Sequence, residues 1–215
     1  MWKNCRDLLH KSDSGRHSIL TLVNILRSFN ARGGEMDSSV TTPWETRNER
    51  TLGPSEVERL RKRFPEFIGH SEPLLRVLQQ IERLAAADAP VLIQGESGTG
   101  KELVARALHR IGSRRHGPFV SENCAAIAPA MLEAELFGHD RGAFTGAHSE
   151  RAGLIESAHG GVLFLDEITE TGSDLQTKLL RVLQEKEIRR VWSNRPRKID
   201  FRLVSASHRN IASAV

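Results

Sequence analysis

The sequence has almost no cysteine: Cys5 and Cys124 are the two among 215 residues. Two cysteines cannot build a disulfide framework, and neither stands in a spaced Cys/His set of the kind that holds zinc. Long apolar runs are lacking as well. The longest, Ile19 to Leu26, is interrupted by Thr21 and Asn24 and falls far short of the roughly 20 residues that cross a bilayer. No small-residue cleavage site follows it, which argues against a secretory signal. These absences predict a reducing, cytoplasmic setting with no membrane partner. Excess charge is small too, with 31 Lys+Arg against 27 Asp+Glu and a net +4. Residues 1–64 carry that surplus, 12 basic against 8 acidic, while residues 65–215 hold 19 of each. The larger part of the chain therefore shows no overall basic bias toward nucleic acid.

What is present reads as a globular α/β chain, 39% hydrophobic and 27% charged. Residues 1–54 read as an unassigned leader and linker: Ile19, Leu22, Val23, Leu26 and Phe29 fit one short amphipathic helix, and Gly/Ser/Thr/Pro turns fill residues 30–54. Ser55 and Glu58 form a capping-box pattern opening a charged helix, Glu56 to Arg63, within a connecting segment 55–66. Its Arg59, Arg61, Lys62 and Arg63 suit a solvated face better than a phosphate contact. From Phe64 the pattern changes. Leu74, Leu75, Leu78, Ile81 and Leu84 share one helical face after Ser71 and Pro73. Val91-Leu92-Ile93 is a short, wholly apolar run suited to a buried parallel strand. Further strands are expected at Phe119–Ser121, Val162–Leu165 and Phe201–Ser205, with helices at Ala130–Leu136 and Leu175–Lys186 between them. Such alternation predicts a parallel sheet covered by helices on both faces.

The turn after the first strand reads Gly95-Glu96-Ser97-Gly98-Thr99-Gly100-Lys101-Glu102. Glycines let the backbone curl so that successive N–H groups face one concavity, which suits β- and γ-phosphates. Lys101 adds a cation there, and the following helix aims its positive N-terminal end at the same place. Glu102 stands where a P-loop usually has the Ser or Thr that meets Mg²⁺. Metal binding must then lean on other oxygens, and the apolar strand ending in Asp166-Glu167, about 65 residues on, supplies them. Neighbouring side chains at a strand end point different ways, so Asp166 is assigned to Mg²⁺, with Glu167 beside it, and Glu167 to polarising the attacking water. No guanine-reading Asn-Lys-x-Asp occurs, which leaves ATP hydrolysis as the preferred class.

With these Walker A and Walker B elements in place, residues 67–211 resemble the central AAA+ domain of bacterial sigma-54-dependent activators, the NtrC-like enhancer-binding proteins. The segments carrying the likeness are Phe67-Ile68-Gly69-His70-Ser71, the Gly95–Glu102 loop, Asn123-Cys124-Ala125-Ala126, Glu135-Leu136-Phe137-Gly138-His139, Gly142-Ala143-Phe144-Thr145-Gly146-Ala147, the strand to Ile168, and Leu175 through Gln184. The resemblance implies an AAA+ P-loop NTPase that uses ATP and Mg²⁺ to remodel sigma-54 RNA polymerase as a ring oligomer. It implies that Gly142–Ala147 touch sigma-54 through Phe144 and Thr145, and that Asn123 hydrogen-bonds catalytic Glu167 according to nucleotide state. It also places His208 as a sensor of the γ-phosphate, adds Ile68 and Gly69 to the nucleotide set, and accommodates Glu at position 102. Cys124 is read as a small apolar residue with no redox role.

The same resemblance leads to expectations about what the chain does not include. The family's arginine fingers, fifth strand, helical lid and helix-turn-helix module have no counterpart before Val215. A C-terminally truncated AAA+ domain (67–215) is therefore expected, with strand Val91–Gln94 left at a sheet edge. Turnover near background is expected with it, since a missing arginine finger removes about 10³–10⁵ in rate. An ATP- and sigma-54-binding module without hydrolysis, or an inactive gene product, is the alternative.

Overall fold

In the computed structural model, residues 52–143 and 149–209 are described. The expected helix near residues 19–29, the linker to residue 51, and Phe144, Thr145, Gly146 and Ala147 of the contact loop lie outside those residues.

The first helix, α1, runs Pro54–Arg63. Its N-cap is Gly53, whose carbonyl accepts from Glu56 N and Val57 N, and no side chain caps it. The Ser55 capping box is thus corrected: Pro54 at the first helical position has φ preset for a helix and needs no N–H partner, so the helix starts two residues earlier. Three of the four basic side chains of α1 are spent on ion pairs: Arg59 and Arg63 meet Glu82, and Lys62 meets Glu58. Next comes α2 (Glu72–Ala85), with Ser71 at its N-cap and Pro73 in its first turn. Its Leu74, Leu75, Leu78, Ile81 and Leu84 are all buried, as the spacing predicts.

Strand β1 (Val91–Gln94), the phosphate-loop turn and α3 (Lys101–Ile111) follow in order. Then come β2 (Phe119–Asn123), α4 (Pro129–Phe137), and the two short strands β3 (Gly138–His139) and β4 (Arg151–Ala152). After α5 (Leu154–Ser157) the chain enters β5 (Val162–Asp166), a 3₁₀ turn at Ile168–Glu170, and α6 (Ser173–Glu185). A second small hairpin, β6 (Glu187–Ile188) with β7 (Arg197–Lys198), precedes β8 (Arg202–Ser207).

Four strands pair in the order β1-β8-β5-β2, all parallel. Among the described residues β1 is an outer strand, as anticipated. Successive strand residues face opposite sides, and β5 shows what that does. Val162 and Phe164 pack with α1, α2 and α3 in one core, while Leu163 and Leu165 pack with α4 and α6 in the other. Both faces being covered explains why β5 reads as an unbroken apolar run. Strand β2 enters beside β5 at a tight contact: a Cβ on Gly161 would lie 2.0 Å from the Pro118 carbonyl oxygen, so only glycine fits. No helix among the described residues is long and apolar enough to cross a membrane.

Candidate nucleotide site

The carboxyl ends of β1, β8, β5 and β2 converge on one edge of the sheet, where the Gly95–Lys101 turn, Asn123, Asp166, Glu167 and His208 lie. The turn from β1 to α3 is anchored by Gly95 N, which donates to Ser207 O of β8 at 3.1 Å. Gly98 and Gly100 hold φ of +78° and +87°, a region open to glycine at no steric cost. A Cβ on Gly98 would meet nothing within 4 Å, so that side of the turn is open. Thr99 Oγ1 donates to Glu96 O at 2.7 Å and tightens the curl. Glu102 turns along α3 to Arg106, at 2.7 and 3.0 Å, rather than into the turn. Ile68 is 93% exposed and Gly69 has φ +147°, both in the connection between α1 and α2.

Lys101 is 6% exposed, and its Nζ donates to the carbonyls of Gly95 (3.2 Å) and Glu96 (3.3 Å). It also lies 3.1 Å from Glu167 Oε1. The sequence motifs at residues 95–102 and 161–167 are therefore in direct contact. Glu167 sits just past β5 with φ +51° and ψ +46°. A non-glycine residue in that left-handed region is strained, which is common where a side chain is aimed for a task. Its second oxygen, Oε2, accepts from His208 N at 3.1 Å and lies 2.6 Å from His208 Nδ1. Burial acts to raise the Glu167 pKa, but the His208 ring and backbone N–H and the Lys101 ammonium outweigh it and hold the carboxyl below its usual range.

One expected contact is not made in this structure. Asn123 does not hold Glu167 here. Its Oδ1 accepts from Ala125 N at 2.9 Å, closing the turn after β2, while its backbone pairs beside Asp166. Two donors, Lys101 and His208, already occupy both Glu167 oxygens. Asp166 Oδ1 accepts from Glu167 N at 3.0 Å and stays part-exposed at the strand end. Of the contact loop, Gly142 and Ala143 are described, Gly142 with φ +84°. The β3–β4 pair forms the loop's stem.

Sequence reading missed a support beneath His208. Thr169 Oγ1 and Ser207 Oγ lie 2.8 Å apart, Ser207 Oγ accepts from Arg209 N, and Arg209 pairs with Glu170. Small hydroxyls carry no pattern that marks them in advance. Cys124 is buried, and burial with nearby carboxylates pushes its thiol up to about 12, which fits the inert reading.

The arrangement suits a nucleoside triphosphate with Mg²⁺. It offers a glycine-lined turn, a helix N-terminus, one buried ammonium and a strand-end carboxylate. Among the described residues no three His, Cys, Asp or Glu side chains gather into a metal cage. That agrees with Mg²⁺, which takes one or two carboxylates and completes its shell with phosphate and water oxygens.

Comparison with known proteins bears on this geometry. The family model described as the Sigma-54 interaction domain matches residues 67–215. The Nif-specific regulatory protein of Herbaspirillum seropedicae is 52% identical over 153 residues, 71% of this chain and 28% of that protein. The transcriptional regulatory protein ZraR of Salmonella typhimurium is 51% identical over 149 residues, covering 69% of this chain and 34% of that protein. A crystal structure of NtrX from Brucella abortus in complex with ATP matches with a TM-score of 0.63 at 38% identity, covering 74% of this chain and 34% of that one. The chain thus spans about a third or less of the length of these relatives.

Proposed function

This chain belongs to the Sigma-54 interaction domain family, and from that premise we propose that it binds Mg-ATP at the β1–α3 turn and couples hydrolysis to contact with sigma-54 RNA polymerase. The observation that carries this reading is the 3.1 Å approach of Lys101 to Glu167, which unites the phosphate turn with the carboxylate pair.

In this reading the turn's backbone N–H groups and Lys101 hold the phosphates, and Asp166 holds the metal, with Glu167 next to it. The bound Mg²⁺ supplies charge neutralisation of the phosphate oxygens. Glu167 is the base for the attacking water, and its depressed pKa keeps it ionised at neutral pH. Its lone pairs are engaged by Lys101 and His208, so it becomes available when Lys101 turns toward phosphate and His208 lets go. His208 lies at the end of β8, one residue beyond Ser207, the strand's last residue, and so couples the carboxylate to the edge of the sheet. Asn123, Gly95 through Gly100, Glu102, Ile68 and Gly69 complete the proposed nucleotide set, Asn123 as a second partner for Glu167 once its turn bond to Ala125 opens. Gly142, Ala143, Phe144, Thr145, Gly146 and Ala147 make the proposed sigma-54 contact, within a ring of copies.

A second reading, a module that binds ATP and sigma-54 without turnover, draws on the full engagement of Glu167 by two donors. One experiment separates them. Phosphate release is measured with sigma-54 capture on the parent, Glu167→Gln and Phe144→Ala. The proposal expects Glu167→Gln to abolish the parent's phosphate release while keeping capture in ATP, and Phe144→Ala to lose capture while keeping release. Capture by the parent without measurable release supports the second reading, and absence of both contradicts each.

A further inference from the structure

Trp192 is 83% exposed and adopts φ +65°. A bulky residue in the left-handed region is strained, and here the strain presents an indole to solvent with little burial in return. The indole walls a cavity of about 580 Å³ shared with Phe137, Val182, Val191, Arg181 and Arg189. Around it lies a concentration of charge that the balanced total conceals: residues 188–199 hold five basic side chains and no acidic one. Arg190 is buried and bound to Glu156 at 2.7 Å, and Arg197 lies 3.7 Å from the same carboxylate. Arg189, Arg195 and Lys198 are exposed and form no ion pair with a described residue.

We propose that the β6–β7 hairpin and the cavity beside Trp192 form a contact for single-stranded nucleic acid, with Trp192 stacking on an unpaired base and Arg189, Arg195 and Lys198 meeting phosphates. The two halves of the surface differ in a way that fits a nucleotide strand. Apart from Glu187 at its first position, the hairpin carries only basic charge, which suits a phosphate backbone. Inside the cavity Glu133, Glu185 and Glu187 offset its cations, so an uncharged ring is favoured there over an anion. An exposed aromatic beside a row of cations is the combination that binds unpaired bases without sequence preference. A duplex keeps its base faces covered and leaves the indole without a partner. An acidic peptide would answer the cations but place carboxylates beside the cavity glutamates. The position also fits: Val191 N donates to Gly138 O at 3.0 Å and Asp140 N to Val191 O at 3.4 Å, so the hairpin is tied to the stem of the 142–147 loop.

The test titrates the whole chain, without nucleotide, against labelled oligothymidylate, the matching duplex and polyglutamate. The surface predicts binding of oligothymidylate that weakens with salt. Trp192→Gly should lower that affinity roughly 5- to 150-fold while melting no earlier than the parent, because glycine relaxes at this φ. Replacing Arg195 and Lys198 with Glu should weaken binding and flatten its salt dependence. No binding, equal affinity in Trp192→Gly, or preference for duplex or polyglutamate overturns the proposal. None of these results involves ATP, so they leave the nucleotide-site reading to its own test.

Discussion

His208 Nδ1 lies 2.6 Å from Glu167 Oε2, and the His208 backbone N–H reaches the same oxygen at 3.1 Å. One residue at the end of β8 thus holds the strand-end carboxylate twice, once through its side chain. Replacing His208 by Ala removes the side-chain bond and keeps the backbone one. The Glu167 titration midpoint, followed by NMR of its side-chain carbon, should move upward toward the ordinary carboxylate value, because burial then meets less opposition. An unchanged midpoint would show that the ring does not stabilise the charged form.

Arg114 grips two carboxylates, Asp88 at 2.6 and 2.7 Å and Asp200 at 2.9 and 3.0 Å. These hydrogen bonds, with the guanidinium charge, hold both aspartates below their usual range. A depressed folded-state pKa contributes stability that is present above the unfolded value, about 3.9, and is lost as pH falls through the folded one. Melting temperature should therefore fall as pH drops below about 4, and Asp88→Asn with Asp200→Asn should flatten that dependence. A parallel acid profile in parent and variant would contradict it.

Gly161 is where β5 and the start of β2 touch. Gly161→Ala forces a Cβ to 2.0 Å from the Pro118 carbonyl oxygen, and both partners are backbone. Denaturant unfolding should show a loss of about 1–3 kcal/mol or more. Gly172→Ala, where a Cβ meets nothing within 4 Å, is the control and should cost no more than about 1 kcal/mol, the effect of alanine at the N-cap of α6.

Cys124, buried and with its thiol pushed up to about 12, has little thiolate at neutral pH. Alkylation of the Cys124 peptide, followed by mass spectrometry, should be slow in the native protein and become fast in denaturant. Fast native labelling would show that the packing around α4 and α6 opens.

Much of this was legible in the sequence, for identifiable reasons. Strand β5 declared itself because burial on both faces demands an unbroken apolar run. The Gly95–Lys101 turn did so because its backbone angles at Gly98 and Gly100 admit few other residues. The start of α1 was misplaced because Pro54 and Ser55 are both good opening residues, and sequence alone does not rank a preset φ above a side-chain cap. The partners Glu167 takes in this structure were not legible, for a different reason. Asn123 and His208 both lie at strand ends beside it, and the choice depends on which side chain the Ala125 turn has already claimed. The hairpin charge was hidden because residues 65–215 balance in total, and the exposure of Trp192 beside those cations is set by the fold.

The central claim is that Lys101 and the turn before it form an ATP site. Thermal melting of the chain with and without Mg-ATP, alongside Lys101→Ala, tests it most directly. At about 100 times the Kd a bound ligand adds roughly 2.7 kcal/mol, so the parent should melt higher with Mg-ATP and Lys101→Ala should not. A parent that gains no stability from Mg-ATP, or a Lys101→Ala variant that gains as much as the parent, would contradict the account.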